Sequence, residues 1–200
     1  MRIVKEHDVR KLEIIEAAET LFLTKGYDSS TVNSIIDSVG IAKGTFYHYF
    51  KSKVEVLDAV IELNVNQLIE RMLEVQKEKF IDLDDKLLHV MQAMNMQQEK
   101  NLDALHQPSN ILYHQKLMYK MIERISPIIA QVIEEGNKEK VWHCQKPLIN
   151  IQIFLAATFT LTDELYVKDA TIDSADIIKE LILLLEKLLN IEPNRFLSKM

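Results

Sequence analysis

Residues that break helices are scarce in this chain and unevenly spread, and that narrows its fold more than any other feature. Only four glycines and four prolines interrupt 200 residues; three of the glycines stand at 26, 40 and 44, and every proline at 108 or later. Between these breaks Leu, Ile, Glu, Lys, Gln and Met dominate, and apolar residues recur every three and four positions, the period of a helix buried along one face. No strand-and-hairpin pattern is present. An all-α fold is expected, with short, sharply turned helices first and longer ones after.

The first helix is expected over about residues 7–25, with Leu12, Ile15, Ala18, Leu21 and Phe22 on one face and Gly26 just past its end. A second, over about 31–38, starts at a Ser30 or Thr31 cap, turns Val32, Ile35, Ile36 and Val39 inward and closes at Gly40. A third follows over about 42–48. Ser52-Lys53-Val54-Glu55 then has the spacing of a capping box, in which a Ser hydroxyl and a Glu carboxylate satisfy reciprocal backbone N–H groups. It opens a fourth helix reaching about residue 79. Further helices are expected over about 83–97, 101–106, 110–125, 127–137, 147–167 and 174–190. Pro127 should kink or restart its helix, because it lacks an N–H and crowds the preceding turn. Pro147 suits a first helical position and Gly136 a helix end. The organisation expected is an N-terminal three-helix head, residues 1–53, and a larger α-helical body, residues 54–200, with the seam inside the fourth helix.

Charge divides the chain in a similar way. The formal net charge is −6, yet residues 1–53 hold eight Lys/Arg against seven Asp/Glu, net +1, and the remainder sixteen against twenty-three, net −7. Lys43, Lys51 and Lys53 fall in a stretch with no acid between Asp37 and Glu55. An acidic protein that keeps one acid-free helix bearing Lys and Tyr has a surface for a polyanion, and double-stranded DNA is the obvious one. The same run is also what an ordinary solvated face looks like. The single cysteine, Cys144, excludes an internal disulfide framework and a zinc finger of paired cysteines. No apolar run nears the roughly 18–20 residues of a membrane span, and MRIVKEHDVRK lacks a signal-peptide core. A cytoplasmic protein with no membrane partner is expected.

A helix-turn-helix lays its second helix in the major groove while the first braces it. Ala42-Lys43-Gly44-Thr45 supplies small residues and donors at the entering end. Tyr47, His48 and Tyr49 would reach toward phosphates, Phe46 and Phe50 would anchor the helix inward, and Lys53 would hold a phosphate at the start of the fourth helix. The stretches IIEAAETLFLTKGY (14–27), STVNSI (30–35) and GIAKGTFYHYFKSK (40–53) resemble the TetR family of bacterial repressors over the first quarter of the chain. The resemblance implies a helix-turn-helix head in which Ala42, Lys43, Gly44, Thr45, Tyr47 and His48 face the groove, while Thr31, Tyr49 and Lys53 contact the DNA backbone. Ile36 and Val39 depart from the pattern, standing where the family usually has alanines. Both are apolar, so they bear on the packing of the second and third helices more than on the fold.

The resemblance also implies a divergent body that senses a small apolar molecule. Met91, Met94, Met96, Met118 and Met121 suit a pocket that accepts varied shapes, since thioethers are flexible and polarizable. Methionines at helical spacing equally fill gaps in an ordinary core. With Tyr113, Tyr119, Trp142, Phe154 and Phe159 in reach, the pocket candidates are Met91, Met94, Tyr113, Met118, Met121, Trp142, Phe154 and Phe159. Residues 127–142, PIIAQVIEEGNKEKVW, are similar to one branch of the family that tends to carry a second glycine where Lys140 stands, so a different turn is expected before Trp142. His89, His106, His114 and Cys144 show no metal-ligand spacing, and no metal or cofactor is expected.

The helix over 147–167 is apolar nearly all round and must be covered on every side. Together with the apolar stripe of 174–190 it offers a surface to a second copy. TetR-like proteins dimerise through these two helices as a four-helix bundle, which implies a twofold homodimer with Ala156, Ala157, Ile178, Leu181, Leu185 and Leu188 at the interface. The function expected is a ligand-responsive transcriptional regulator, more a repressor than an activator, which binds a palindromic operator as a dimer and is released by a small apolar or amphipathic effector. Two alternatives are a TetR-like structural or partner-binding protein with a filled body, and an enzyme carrying a helix-turn-helix. Against the enzyme, the body has no nucleophile elbow, phosphate loop or metal motif.

Overall fold

The computed structural model describes residues 2–94, 102–162 and 173–199. Every regular element among them is helical: α1 (Arg2–Lys25), α2 (Val32–Val39), α3 (Lys43–Tyr49), α4 (Lys53–Gln76), α5 (Leu83–Gln92), α6 (Leu102–Leu105), α7 (Ile111–Lys138), α8 (Pro147–Leu161) and α9 (Ser174–Leu189), with 3-10 turns at Pro108–Asn110 and Leu197–Lys199. The all-α expectation holds. The chain forms two compact units, Met1–Asn66 with Met96–Lys120, and Gln67–Asn95 with Met121–Met200.

In the first unit α1 buries Ile14, Ile15, Ala18, Leu21 and Phe22, a stripe with the helical offsets 0, 1, 4, 7 and 8. Leu12, expected on that face, is 40% exposed. It lies about a third of a turn off the centre of the stripe, and Ile14 takes the inward place. Gly26 and Gly40 both adopt left-handed φ, +86° and +70°, and end α1 and α2 as helix-terminating glycines do. Thr31 caps α2 reciprocally: its Oγ1 accepts from the Ser34 N–H at 3.0 Å and Ser34 Oγ accepts from the Thr31 N–H at 3.0 Å. At α4 the expected box is displaced by one residue. Ser52 Oγ accepts from the Glu55 N–H at 3.2 Å, but the Glu55 carboxylate takes the N–H of Lys51, not that of Ser52, at 2.6 Å.

In the second unit α7 runs through Pro127 without a break, so the two helices expected over 110–125 and 127–137 are one. The proline removes a single N–H from the ladder, while Ile125, Ile128, Ile129, Val132 and Ile133 are buried on both sides of it. Their burial, at roughly 1.5–3 kcal/mol per side chain, outweighs the lost bond and the local crowding. Gly136 lies inside α7 and does not cap it. A Cβ there would come within 2.1 Å of the Trp142 ring, so this glycine makes room for the indole. Lys140 adopts the left-handed conformation itself, φ +60°, and the Val141 N–H returns to the Gly136 carbonyl at 2.9 Å. α4 ends at Gln76 and not near 79. α5 ends at Gln92 and α8 at Leu161, short of the expected 97 and 167; Met96 lies outside the described residues.

The last residues of the chain are pinned to the start of α5. Asp84 is buried and accepts from the Trp142 indole N–H at 3.1 Å and from Arg195 Nε and Nη2 at 2.6 and 3.0 Å. Glu186 of α9, also buried, accepts from the backbone N–H groups of Asn194 and Phe196 at 2.7 and 2.6 Å. Lys199 donates to Asp82 and Asp85, both at 2.7 Å. Two buried carboxylates are thus fully paired, the condition for tolerating them in a core.

Candidate nucleic-acid interface

α3 is held by aromatics and open on its other side. Phe46 and Phe50 are buried, at 0% and 2% exposure, and lie 6.1 Å apart between ring centroids. With these inward, Ala42, Lys43, Gly44, Tyr47 and His48 are exposed and Thr45 and Tyr49 are half-buried. Lys43 Nζ stands 5.9 Å from the centroid of the Tyr47 ring, and His48 meets Tyr49 edge-on at 5.1 Å. Gly44 is not required by the fold: a Cβ at that position would meet nothing within 4 Å. Gly44 lies in the first turn of α3, and the lack of a side chain there leaves the backbone of this open face bare. Thr31, at the cap of α2, is exposed; its hydroxyl accepts from Ser34 and retains its proton to donate.

Lys53 has partners other than the phosphate assigned to it from the sequence. Its ammonium donates to the carbonyls of Tyr27 at 2.7 Å, Ser30 at 2.9 Å and Asp28 at 3.5 Å, and sits 4.1 Å from the centroid of the Tyr27 ring. All three N–H directions of an ammonium are used. Burial pushes its pKa below the usual lysine range, and the nearby Asp28 partly offsets the shift. Burial also raises the Tyr27 phenol, with Asp28 and Asp58 adding to it. The geometry is that of a clamp between the start of α4 and the turn joining α1 to α2.

Three sets of residues escaped sequence reasoning. Lys11, exposed on α1, carries its ammonium to 5.8 Å from the Phe50 ring, adding positive charge beside the end of α3. In the sequence it is lost among the mixed charges of the first helix. Asn110 and Ser109 bind the α1–α2 turn, and no sequence signal joins positions more than 80 residues apart. Ile149 and Ile153 of α8 are 52% and 61% exposed; with exposed Ala156 they keep the offsets 0, 4 and 7, a signal that was readable.

The other candidate sites are divided. Of the expected dimer residues, Ala156 and Ile178 are exposed, Ala157 and Leu188 half-buried, and Leu181 and Leu185 buried. Leu181 and Leu185 serve the chain's own core, while Ile149, Ile153, Ile178 and Leu184 remain open. Of the pocket candidates, Tyr113 and Met118 belong to the first unit and the rest to the second. Tyr113 is buried beside Phe22, with its hydroxyl 3.0 Å from Asn64 Nδ2, and Trp142 is committed to Asp84 and Gly136. Met121 and Phe154 are buried, and Met91, Met94 and Phe159 half-buried. Among the described residues, no group of three or more His, Cys, Asp or Glu side chains could hold a metal, and no helix is long and apolar enough to cross a membrane.

Comparison with known proteins matches both parts of the chain. Residues 14–60 fit the family model for bacterial regulatory proteins of the tetR family, and residues 90–180 that for the tetracyclin repressor-like C-terminal domain. An uncharacterized HTH-type transcriptional regulator, YfiR, from Bacillus subtilis (strain 168) is 26% identical over 164 residues, 76% of this chain and 78% of that protein. The fatty acid metabolism regulator protein of the same organism is 38% identical over 76 residues, 38% of this chain and only 39% of the relative. Among solved structures, RolR in complex with resorcinol superimposes with a TM-score of 0.69 at 15% identity, over 98% of this chain and 94% of that one. With a helix-turn-helix head and a helical body each matching its family counterpart, the chain belongs to the TetR family of bacterial transcriptional regulators.

Proposed function

We propose that this regulator is a homodimeric repressor that binds a palindromic operator and is released by a small apolar or amphipathic effector. Residues 1–53 read DNA, with Ala42, Lys43, Gly44, Thr45, Tyr47 and His48 toward the groove and Thr31 and Tyr49 toward the backbone. Residues 54–200 regulate and dimerise. The observation that carries the reading is α3: exposed, without an acid, and holding a glycine that its own fold does not use. Dimerisation is supported by the open apolar residues Ile149 and Ile153 on α8 and Ile178 and Leu184 on α9, which a twofold partner would cover. Effector release is supported by the half-buried Met91, Met94 and Phe159 in the second unit, and by the fold shared with RolR, a protein solved with resorcinol. The chain would act in the cytoplasm, without catalysis or a cofactor.

Two copies of α3 would enter successive major grooves about 34–36 Å apart, and an effector that changed this separation would lower affinity. The test is selection of duplexes from a random-sequence library by the full chain, with sedimentation of the free protein. The selected duplexes should carry inverted repeats, and the protein should sediment as a dimer that Ile153→Glu dissociates. A monomeric wild type, or selected sites without twofold symmetry, would refute the reading.

A further inference from the structure

Asn110 holds the one buried carboxamide among the described residues, at 1% exposure. It closes the 3-10 turn that precedes α7. Its Oδ1 accepts from the Tyr27 N–H at 2.6 Å, and its Nδ2 donates to the carbonyls of Phe22 at 3.0 Å and Ala104 at 2.8 Å. One side chain therefore joins the last turns of α1, the turn that follows it, and the end of α6. Ser109 adds a backbone bond, accepting from the Asp28 N–H at 3.0 Å. The Ser109 side chain also stands where a Cβ on Gly26 would approach it to 2.2 Å. An apolar residue of similar size would fill this space without needing partners. A carboxamide with both donors and its acceptor engaged specifies a single arrangement instead.

The other side of the same peptide belongs to Lys53. Tyr27 gives its N–H to Asn110 and its carbonyl to Lys53, so the residue between α1 and α2 hangs between the start of α7 and the start of α4. We propose that Asn110, acting through the Tyr27 peptide, is a positioning residue that sets the placement of α2 and α3 from the start of α7. This rests on the DNA-binding reading above. Bonds of 2.6–3.0 Å do not survive an ångström of slip. A shift of the first turn of α7 therefore either carries the Tyr27 turn with it or releases it. Both outcomes move Thr31, the cap from which α2 begins.

The test is a double-mutant cycle of Asn110→Ala and Lys53→Met in the full chain. It is read on affinity for a duplex selected by the wild type and on Tyr27 amide hydrogen exchange without DNA. The two side chains bind opposite ends of the Tyr27 residue, its N–H and its carbonyl, so coupling between them runs through that residue. Each single variant should lower affinity about fivefold, with the double variant at least about threefold short of the product. In Asn110→Ala, exchange should quicken about tenfold or more at Tyr27 and Asp28 while the slowest core amides keep their rates; a merely stabilising residue would quicken them all. Affinities that multiply independently, or Tyr27 exchange that rises only in step with the core, overturn the proposal. If Asn110→Ala does not fold, Asn110→Ser enters the cycle under the same criteria. If the wild type selects no duplex, the regulator reading fails while the exchange arm still decides this one.

Discussion

Replacing Lys53 with methionine separates two jobs that a lysine at the start of α4 can perform. The substitution keeps the length of the stem and removes the ammonium from the carbonyls of Tyr27, Ser30 and Asp28. Tyr27 and Ser30 are buried, at 4% and 2% exposure, so water replaces the lost donor poorly. Hydrogen bonds to a charged group contribute about 1.5–3 kcal/mol each. The Asp28 contact is long, the amine is only half-buried, and its depressed pKa marks a desolvation cost, so about 2 kcal/mol for the whole set is a fair expectation. In a chain of this size that lowers the melting temperature by about 4–8 °C.

The salt dependence of operator binding then tells a clamp from a phosphate contact. Each neutralised phosphate contributes about 0.9 to the slope of log affinity against log salt. Losing one would change the ratio of wild-type to variant affinity about 3.5-fold between about 50 and 200 mM salt. With Lys53 as a clamp, the variant should bind more weakly at every salt concentration along a line parallel to the wild type, and melt earlier. A slope shallower by about 0.9 together with an unchanged melting temperature would refute the clamp and restore the phosphate contact.

Gly44→Ala should stabilise the protein by less than about 1 kcal/mol in denaturant titrations, because it replaces a glycine in the first turn of α3 with open space around it; it should weaken binding to the selected duplex, and unchanged binding would mean nothing approaches position 44. Gly136→Ala should do the opposite to stability, costing about 1–3 kcal/mol despite alanine's better helix propensity, since the new Cβ meets the buried Trp142 ring; near-UV circular dichroism of the single tryptophan should report the displacement. The hydrogen bond from Lys199 holds Asp82 below the usual carboxylate range, and the bonds it donates to Asp82 and Asp85 raise the lysine. The stability lost in Lys199→Ala should therefore be fully present between about pH 4 and pH 10, vanish as pH falls through the lowered Asp82 pKa, and vanish again as it rises through the raised lysine pKa. A difference from wild type that persisted unchanged at about pH 2 would assign the loss to packing instead of charge.

What could be read from the sequence was what is decided within a few residues. The Thr31 cap, the glycine ends at 26 and 40, the proline at the start of α8 and the bounds of α9 all follow from neighbours along the chain. So did the open face of α3, because Phe46 and Phe50 one turn apart fix which side is buried. The partners of Lys53 were not legible because a flexible four-carbon stem can serve any acceptor in reach. Its carbonyls lie 23–26 residues away in the chain, in a turn whose approach to α4 is a tertiary fact. The choice between the open residues Ile149 and Ile153 and the buried Leu181 and Leu185 had the same origin. An apolar stripe states that a face needs covering, not which part of it the chain's own core covers.

The segment before Trp142 shows how this limit works in energetic terms. A different turn was expected before Trp142, since Lys140 stands where one branch of the family tends to carry a glycine; Lys140 takes the left-handed conformation itself, at a cost of roughly 1–2 kcal/mol. Burying a tryptophan removes about 150–250 Å² from water, worth roughly 4–6 kcal/mol, and here the indole N–H is also satisfied by Asp84. The turn is kept because the ring it delivers outweighs the strain of delivering it. The same ring makes Gly136 indispensable for a different reason, since its missing side chain is the space the indole occupies. A left-handed position can be filled by another residue at a modest cost, whereas a collision with a buried ring cannot be relieved without moving the core. Of the two positions, 136 is therefore the one at which substitution should disturb the second unit most.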